Sequence, residues 1–351
     1  MAFYPLVIAE KHQETPDSVS LWLEVPQALK TVFDVTPGQF VSVKIGTTIR
    51  QYSVSKVPAN DRFRITIKQQ LSGEVSTWLN QTVQAGEVLQ VSAPAGRFVV
   101  QPEIGNRRTL YCVVAGSGIT PVMHIVEAVL HQEPATRIVL LYGNRNRESV
   151  IFYEELEALA RAFPEQLTLC HSWSSPGWFD TGHWRKGRID QDAVTELMKT
   201  FPPYAQDCRY LVCGSGDFTR QALQALKAID VPPDRLLTEQ FAAAKAEDND
   251  QSRGEAEPAT MAATLTVNTT DGKVVDVTVK AGQTLLQALK QHPLDVPYSC
   301  EGGVCGRCRC QLESGHVHLK HNAVLTSEEV RNGVILTCQA IPETEALAIR
   351  Y

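Results

Sequence analysis

Four cysteines toward the C-terminal end carry the most specific chemistry in the sequence. Four residues separate Cys300 from Cys305 and two separate Cys305 from Cys308; Cys338 follows after a further twenty-nine. The spacing C-x4-C-x2-C…C lets four thiolates hold one [2Fe–2S] cluster. Gly302, Gly303 and Gly306 lie among them. They allow the backbone to curl in conformations that a Cβ opposes, turning amide N–H groups toward anionic sulfur. Other uses of these thiols fit less well. Zinc sites commonly pair cysteines in two separated C-x2–4-C knuckles, unlike one triplet with a distant single. Disulfides need an oxidising compartment. A Rieske centre replaces two cysteines by histidines; His316, His318 and His321 are close by, but no Cys-x-His pairing accompanies them, and they are expected at the surface. Cys310 is left over. It is an alternative to Cys308, which the two-residue gap after Cys305 favours.

Two further sets of residues have the chemistry of a nucleotide site. Arg50-Gln51-Tyr52-Ser53 puts a guanidinium, a phenol and a hydroxyl on one short strand, suited to a phosphate, a planar ring and a polyol. Ordinary alternating strands produce the same pattern, with Tyr52 packed and Arg50 solvated. Lys68 follows, then a helix expected from about Gly73 to Thr82, with Ser76 and Thr77 placed to cap it. The exposed N–H groups of such a helix start suit a pyrophosphate. Gly116-Ser117-Gly118-Ile119-Thr120-Pro121 and Cys213-Gly214-Ser215-Gly216 each follow an apolar strand. Glycines there admit backbone amides close to a dinucleotide phosphate. Pro121 stands where the G-x-G-x-x-G fingerprint has its third glycine, so this is a different turn. Either cluster alone reads equally as a tight strand–helix turn; two on one sheet favour a nucleotide site. Arg145, Arg147 and Ser149, after the second strand, are expected either to hold a 2′-phosphate or to form a solvated loop.

The elements that must position these residues are legible from periodicity. Residues 1–103 alternate in short runs at Leu6–Glu10, Val19–Val25, Phe40–Ile45, Gln51–Lys56, Phe63–Gln69 and Val88–Ala93, predicting an antiparallel barrel or sandwich. Residues 104–241 alternate apolar strands with helices, predicting a parallel, doubly wound α/β sheet with ligands at the strand C-terminal ends. The strands are expected at Leu110–Ala115, Arg137–Tyr142, Leu167–Cys170, Tyr210–Cys213 and Leu236–Gln240. Residues 242–260 hold five acids, two bases, no aromatic residue and, Pro258 apart, no aliphatic residue larger than alanine. They are expected to be a flexible acidic linker with a root-mean-square span of ~25 Å. Residues 261–351 open on a hairpin turning at Asp271-Gly272, followed by a helix at Gln283–Gln291 and the cysteine loop.

Bulk properties narrow the function classes. A chain of 351 residues suits two or three domains, and a net charge of −6 does not suggest a nucleic-acid partner. The first residues, MAFYPLVIAEKHQ, lack a basic region followed by an apolar run, so no secretory signal is expected. No apolar stretch approaches the ~20 residues of a membrane span. Nine cysteines without export signals point to a reducing cytoplasm. The last 91 residues carry nine acids and eight bases, too balanced for the acidic field that steers diffusible carriers.

The order RxYS barrel, GSGITP and CGxG sheet, then C-x4-C-x2-C module resembles the ferredoxin–NADP reductase superfamily. More narrowly, it is similar to the reductase components of multicomponent oxygenases, a group that includes the reductase subunits of phenylacetyl-CoA epoxidase and 3-ketosteroid 9α-hydroxylase. The resemblance spans nearly the whole chain. It implies FAD (rather than FMN) on the barrel, NAD(P)H on the parallel sheet, and a [2Fe–2S] cluster on a plant-type β-grasp ferredoxin. By the same resemblance, Arg50, Gln51, Tyr52 and Ser53 hold the flavin and its phosphate, and Lys68 and Gly73 to Thr77 line the rest. Gly116, Ser117, Gly118, Ile119, Thr120 and Pro121 cradle the nicotinamide nucleotide, with Thr120 near the meeting point with flavin. Cys213 and Gly214 match the family's CG pair, although Ser215 replaces the usual proline. Glu239 and Phe241 sit beside the flavin. The implied activity is electron transfer from NAD(P)H through flavin and cluster to a separate terminal oxygenase, Rieske or di-iron, with the reductase itself monomeric. Two rivals are a free-standing reductase of small acceptors and a redox-sensing iron–sulfur protein.

Overall fold

Six alternating runs become six strands that close on themselves. A computed structural model of the chain describes residues 2–58, 61–70, 73–178, 180–241, 262–269, 272, 274–294, 296–298, 301–303, 306–322 and 324–351. Strands β1 (Phe3–Thr15), β2 (Ser18–Glu24), β3 (Phe40–Ile45), β4 (Thr48–Lys56), β5 (Arg62–Lys68) and β6 (Val88–Ser92) form a closed barrel in the order β1-β2-β5-β4-β3-β6. The register pairs Val19 with Ile67, Leu21 with Ile65 and Leu23 with Phe63. All six are buried, which is what a period of two requires when one face is the barrel interior. Positions on the other face ordinarily meet water, yet Ser55, Arg64 and Thr66 are buried too. Helices of the following segment lie against that side of the barrel. Helix α1 (Glu74–Gln81) interrupts the barrel between β5 and β6.

The run Leu110–Ala115, apolar without alternation, lies in the middle of a six-stranded parallel sheet, where both faces are covered. Its elements are β7 (Arg108–Ala115), α2 (Ile119–Gln132), β8 (Arg137–Asn144), α3 (Tyr153–Ala162), β9 (Leu167–Trp173), β10 (Arg185–Lys186), α4 (Gln191–Thr200), β11 (Asp207–Ser215), α5 (Gly216–Ala228) and β12 (Leu236–Phe241). The order is β10-β9-β8-β7-β11-β12. Leu110, Cys112 and Val114 pack with α2 and α3, whereas Tyr111 and Val113 pack with α4 and α5. All five expected strands are present. The two-residue β10 was not expected, being too short for any periodicity to show.

Glu133, just past the end of α2, is fully buried. It accepts from Arg108 Nε at 3.1 Å and Nη2 at 2.5 Å, Thr136 Oγ1 at 2.6 Å, Asn106 Nδ2 at 2.8 Å and the Glu103 N–H at 3.1 Å. Burial works to raise its carboxyl, and these hydrogen bonds outweigh it, leaving it below the ordinary range. The stabilisation is present above the usual carboxylate range and is lost as pH falls below it. Glu133→Ala leaves the largely covered Arg108 side chain without its carboxylate partner and is expected to cost ~3–5 kcal/mol in denaturant unfolding at neutral pH, with the gap closing in acid.

The chain divides into two compact units, Ala2–Ala244 and Lys245–Tyr351. In the second, β13 (Ala263–Asn268), β14 (Val274–Val279), α6 (Leu285–Leu289), β15 (Arg309–Ser314), β16 (Val317–Leu319), α7 (Ser327–Arg331), β17 (Val334–Leu336), β18 (Ala340–Pro342) and β19 (Ala346–Arg350) follow one another. A mixed sheet in the order β14-β13-β19-β15-β17 packs against α6 in the β-grasp manner, with β16 and β18 paired separately. Thr284 and Gln287 form a capping box that starts α6 two residues later than periodicity alone indicated. The expected linker, 242–260, and Asp271 of the expected hairpin turn lie outside the described residues. Among the described residues, no helix is long and apolar enough to cross a membrane.

Candidate functional site

Arg50 to Ser53 lie in β4, paired with β3 from Phe40 to Val43. Arg50 is exposed, its guanidinium donating to the Ile49 carbonyl at 2.9 Å. Tyr52 is partly buried against the barrel core, and desolvation raises its phenol above the ordinary value against the pull of Arg50. Among the described residues, the Gln51 amide nitrogen is buried without an acceptor. A buried donor left unpaired is costly, and a planar heterocycle with carbonyl and ring-nitrogen acceptors, such as a flavin, would satisfy it. Ser53 Oγ makes a long contact, 3.5 Å, to Glu239 Oε2 on β12. Burial pushes the Glu239 carboxyl up to about 8, the Ser53 hydrogen bond working the other way.

An acid raised above its unfolded value stabilises less as pH climbs between the two values. The flavin-free protein should therefore lose stability from about pH 4.5 to about pH 8 through this group. Glu239→Gln is expected to flatten that slope and raise Tm at pH 9 by about 2–4 °C, the equivalent of ~1 kcal/mol. Calorimetry across pH reads it; an unchanged slope would mean Glu239 ionises freely.

The expected α1 start is corrected. Gly73 is the residue preceding the helix and no side chain caps it; Ser76 and Thr77 lie within the first turn. The Ser76 hydroxyl donates to Gly73 O and accepts the Gln70 N–H, both at 3.0 Å, while Thr77 Oγ1 accepts from Gln69. These hydroxyls therefore shape the turn, and the uncapped first-turn N–H groups are what it offers an anion. Lys68 pairs with Asp17 at 3.2 Å.

The two glycine turns meet at the sheet's topological switch point, between neighbours β7 and β11. α2 begins at Ile119, so Thr120 and Pro121 belong to its first turn rather than preceding it. A Cβ built on Gly118 would stand 2.1 Å from the Cys213 carbonyl oxygen. Thr120 Oγ1 donates to Ser117 O and Tyr142 OH to Gly116 O, both at 3.0 Å. Cys213 is fully buried and desolvation holds its thiol well above the ordinary value, a neutral, inert sulfur. In register across the two strands, Cys213 faces Glu239 and Ser215 faces Phe241, whose ring packs on the sheet's core.

A cleft of about 270 Å³ opens at the strand C-terminal ends, lined by residues including Ala115, Asn144, Ser172, Arg188 and Ser215. Neither Arg145, Arg147 nor Ser149 lines it. Arg147 pairs with Glu154 at 3.4 Å over the Tyr153 ring, and Ser149 completes a capping box with Asn146. Arg188 is the basic group there instead. No sequence spacing pointed to it, because the loop after β9 returns it to the cleft through the pairing of β10.

In the second unit, Cys308 and Cys338 are buried, and Thr337 joins their segments by donating its N–H and hydroxyl to Cys308 O at 3.1 and 3.2 Å. Cys300 and Cys305 lie outside the described residues. Gln339 Nε2 donates to Glu301 O at 2.9 Å and stands 3.7 Å from Cys338 Sγ. Gly303 takes φ +73°, with the His321 carbonyl 2.7 Å from where a Cβ would be. Left-handed glycine, buried thiols and an amide donor at sulfur fit an iron–sulfur cluster. Cys310 is buried within β15 opposite Ile335, and desolvation raises its thiol. His316, His318 and His321 are exposed, as expected.

Three stretches of the chain match known families. Residues 5–100 match the oxidoreductase FAD-binding domain, 112–224 the oxidoreductase NAD-binding domain, and 268–343 the 2Fe-2S iron-sulfur cluster binding domain. The chain is 34% identical over 355 residues to the ferredoxin reductase component of 3-ketosteroid-9-alpha-monooxygenase from Rhodococcus rhodochrous, covering 99% of this chain and 96% of that one. It is 29% identical to one of the subunits of 1,2-phenylacetyl-CoA epoxidase from Escherichia coli K12, covering 99% and 98%. Phthalate dioxygenase reductase, 19% identical, shares the fold with a TM-score of 0.62 over 99% of this chain and 98% of that one. The cofactors are FAD, NAD(P)H and a [2Fe–2S] cluster. With near-complete coverage at this identity, the chain belongs to the family of FAD-, NAD- and [2Fe–2S]-binding oxidoreductases that includes the reductase component of 3-ketosteroid-9-alpha-monooxygenase.

Proposed function

We propose that this protein draws electrons from NAD(P)H and delivers them singly to a separate terminal oxygenase, Rieske or di-iron. The carrying observation is the pairing of Ser53 on the barrel with Glu239 beside Cys213, which brings the flavin strand to the nucleotide turns. Bound FAD supplies the conversion of a two-electron hydride into single electrons, which neither nicotinamide nor cluster performs.

The chain's own residues bind, orient and exclude. Arg50 meets the flavin phosphate, Gln51 and Tyr52 its ring, and Ser53 its polar edge; Lys68 and the Gly73–Thr77 turn take the rest. Gly116 to Thr120 present backbone N–H groups at the start of the fourteen-residue α2, where the helix dipole favours phosphate, and Pro121, which has no N–H of its own, fixes the first turn. Gly214 and Ser215 complete the seat. Cys213 and Phe241 keep water from the meeting point, Thr120 borders it, and Glu239 holds a proton within reach of Ser53. Arg188 recognises the nucleotide at the outer end of the cleft in place of Arg145 and Arg147. Cys300, Cys305, Cys308 and Cys338 ligate the cluster, and Gln339 places an N–H near the Cys338 sulfur. The modules are 1–103, 104–241, 242–260 as tether and 261–351, in a cytoplasmic protein that is monomeric alone.

Anaerobic mixing of the purified holoprotein with NADH or NADPH tests this. Flavin absorbance is expected to bleach first and the reduced cluster's electron paramagnetic resonance signal to follow, with sustained turnover of cytochrome c as a stand-in acceptor. A protein in which neither nucleotide bleaches the flavin is not such a reductase.

A further inference from the structure

Lys56 closes β4, three residues beyond Ser53. Its Nζ reaches Glu155 Oε1 on α3 and Glu127 Oε1 on α2, each at 2.6 Å. Arg64 on β5 reaches the other oxygen of Glu155 at 2.8 Å and donates Nε to Ser55 Oγ at 3.0 Å. Its guanidinium lies 4.2 Å from the centre of the Phe152 ring. Phe152 is held at φ +63°, a left-handed conformation unfavourable for an aromatic residue and a sign of imposed geometry. The Arg64 side chain is 7% exposed and the other three charged groups 20–25%. Two cations and two carboxylates thus balance across the face between barrel and parallel sheet. His124, on α2 and also buried there, stays neutral because burial, with Arg64 adding to it, lowers its pKa to about 4.

Buried ion pairs bring little net stability compared with apolar packing, so stability alone does not account for four charges at this face. What they specify is orientation. Lys56 lies ~10 Å along its strand from Ser53, and Glu127 lies ~10 Å along its helix from Thr120. The network therefore grips the strand and the helix at matched distances from Ser53, which contacts Glu239 opposite Cys213, and from the start of α2, where Gly118 abuts Cys213. A tilt of a few degrees between them shifts those ends by a large fraction of an ångström.

We infer that Lys56, Arg64, Glu127 and Glu155 form a clamp that sets the approach of nicotinamide to flavin, positioning residues for hydride transfer that touch neither group. This rests on the reading of the Ser53–Glu239 region as the flavin–nicotinamide meeting point. Loss of the clamp acts on the rate of transfer within the bound complex, and little on nucleotide affinity, because the phosphate turn stays within one sheet.

Anaerobic stopped-flow reduction of full-length holoprotein, over a series of NADH concentrations, separates the two quantities. In Glu127→Gln and in Glu155→Gln the limiting rate of flavin bleaching is expected to fall ~10–100-fold, with the half-saturating NADH concentration changed less than about threefold. The long-wavelength nicotinamide–flavin charge-transfer absorbance should weaken in parallel, with flavin and iron content unchanged. Lys56→Arg, which retains the charge, should restore the rate relative to Lys56→Met. Unchanged limiting rates, or a loss confined to affinity, overturn the clamp. Should Glu155→Gln fail to fold, Glu127→Gln, which removes the pairing with Lys56 and leaves Glu155 with Arg64, decides by the same criterion. If wild-type flavin is not bleached by NADH or NADPH at all, it is the reading of the meeting point that fails.

Discussion

Gly118→Ala is expected to lower the rate of flavin reduction by NAD(P)H ~100-fold or more, with full flavin and cluster content retained. The reason is space. Gly118 has φ −60° and ψ −12°, values that any residue adopts. Its Cβ would stand 2.1 Å from the Cys213 carbonyl oxygen, 2.5 Å from that carbon and 2.8 Å from Gly214 N. All three are backbone atoms, so no side-chain rotation relieves the contact, and the two turns at the switch point must separate. A displacement of about an ångström at a hydride-transfer site is enough for a ~100-fold loss. Gly116 provides the contrast. It has φ +53° and nothing within 4 Å of its would-be Cβ, so Gly116→Ala strains the backbone by ~1–2 kcal/mol without wedging the turns apart. Stopped-flow bleaching and NAD(P)H titration read both. Should Gly118→Ala reduce flavin within threefold of wild type, these turns are not the nucleotide seat.

Cys338→Ser is expected to abolish the cluster, with loss of bound iron and of visible and paramagnetic signals, while NAD(P)H still bleaches flavin at an undiminished rate. Cys338 is buried beside Gln339, whose amide reaches both its sulfur and the Glu301 carbonyl. A serine oxygen there is a poorer ligand for iron than thiolate. The second unit has its own core, from Leu265 to Ile349, so damage to the cluster need not spread to the flavin. Cys310→Ala is the companion measurement. Cys310 packs within β15, and its replacement should retain full iron at a modest cost in stability. Loss of iron in Cys310→Ala with retention in Cys308→Ser would reverse the ligand assignment. Loss of flavin reduction in Cys338→Ser would mean the two units do not function independently.

Much of the architecture was legible before any coordinate. The alternation on β2 and β5 could only be satisfied by one buried face, and the run Leu110–Ala115 only by two. Turn and cap chemistry was less legible. Ser76 and Thr77 have the residue types of caps, but their hydroxyls are taken up by Gly73 and Gln69, and Gly73 itself precedes the helix. Arg145 and Arg147 carried the right charge for a phosphate, but their loop closes on itself through Asn146 and Ser149, outside the cleft.

The sequence by itself determined the modules, their order, the cluster spacing and the two glycine turns, because each is a local matter of period, backbone conformation or ligand spacing. Only the tertiary structure decided which distant residues share a site. Lys56 with Glu127, Ser53 with Glu239, and Arg188 with Ser172 become neighbours through the packing of barrel on sheet and the return of a long loop. Charge pairing across such separations has no periodic signature, since it depends on which faces two modules bury against each other.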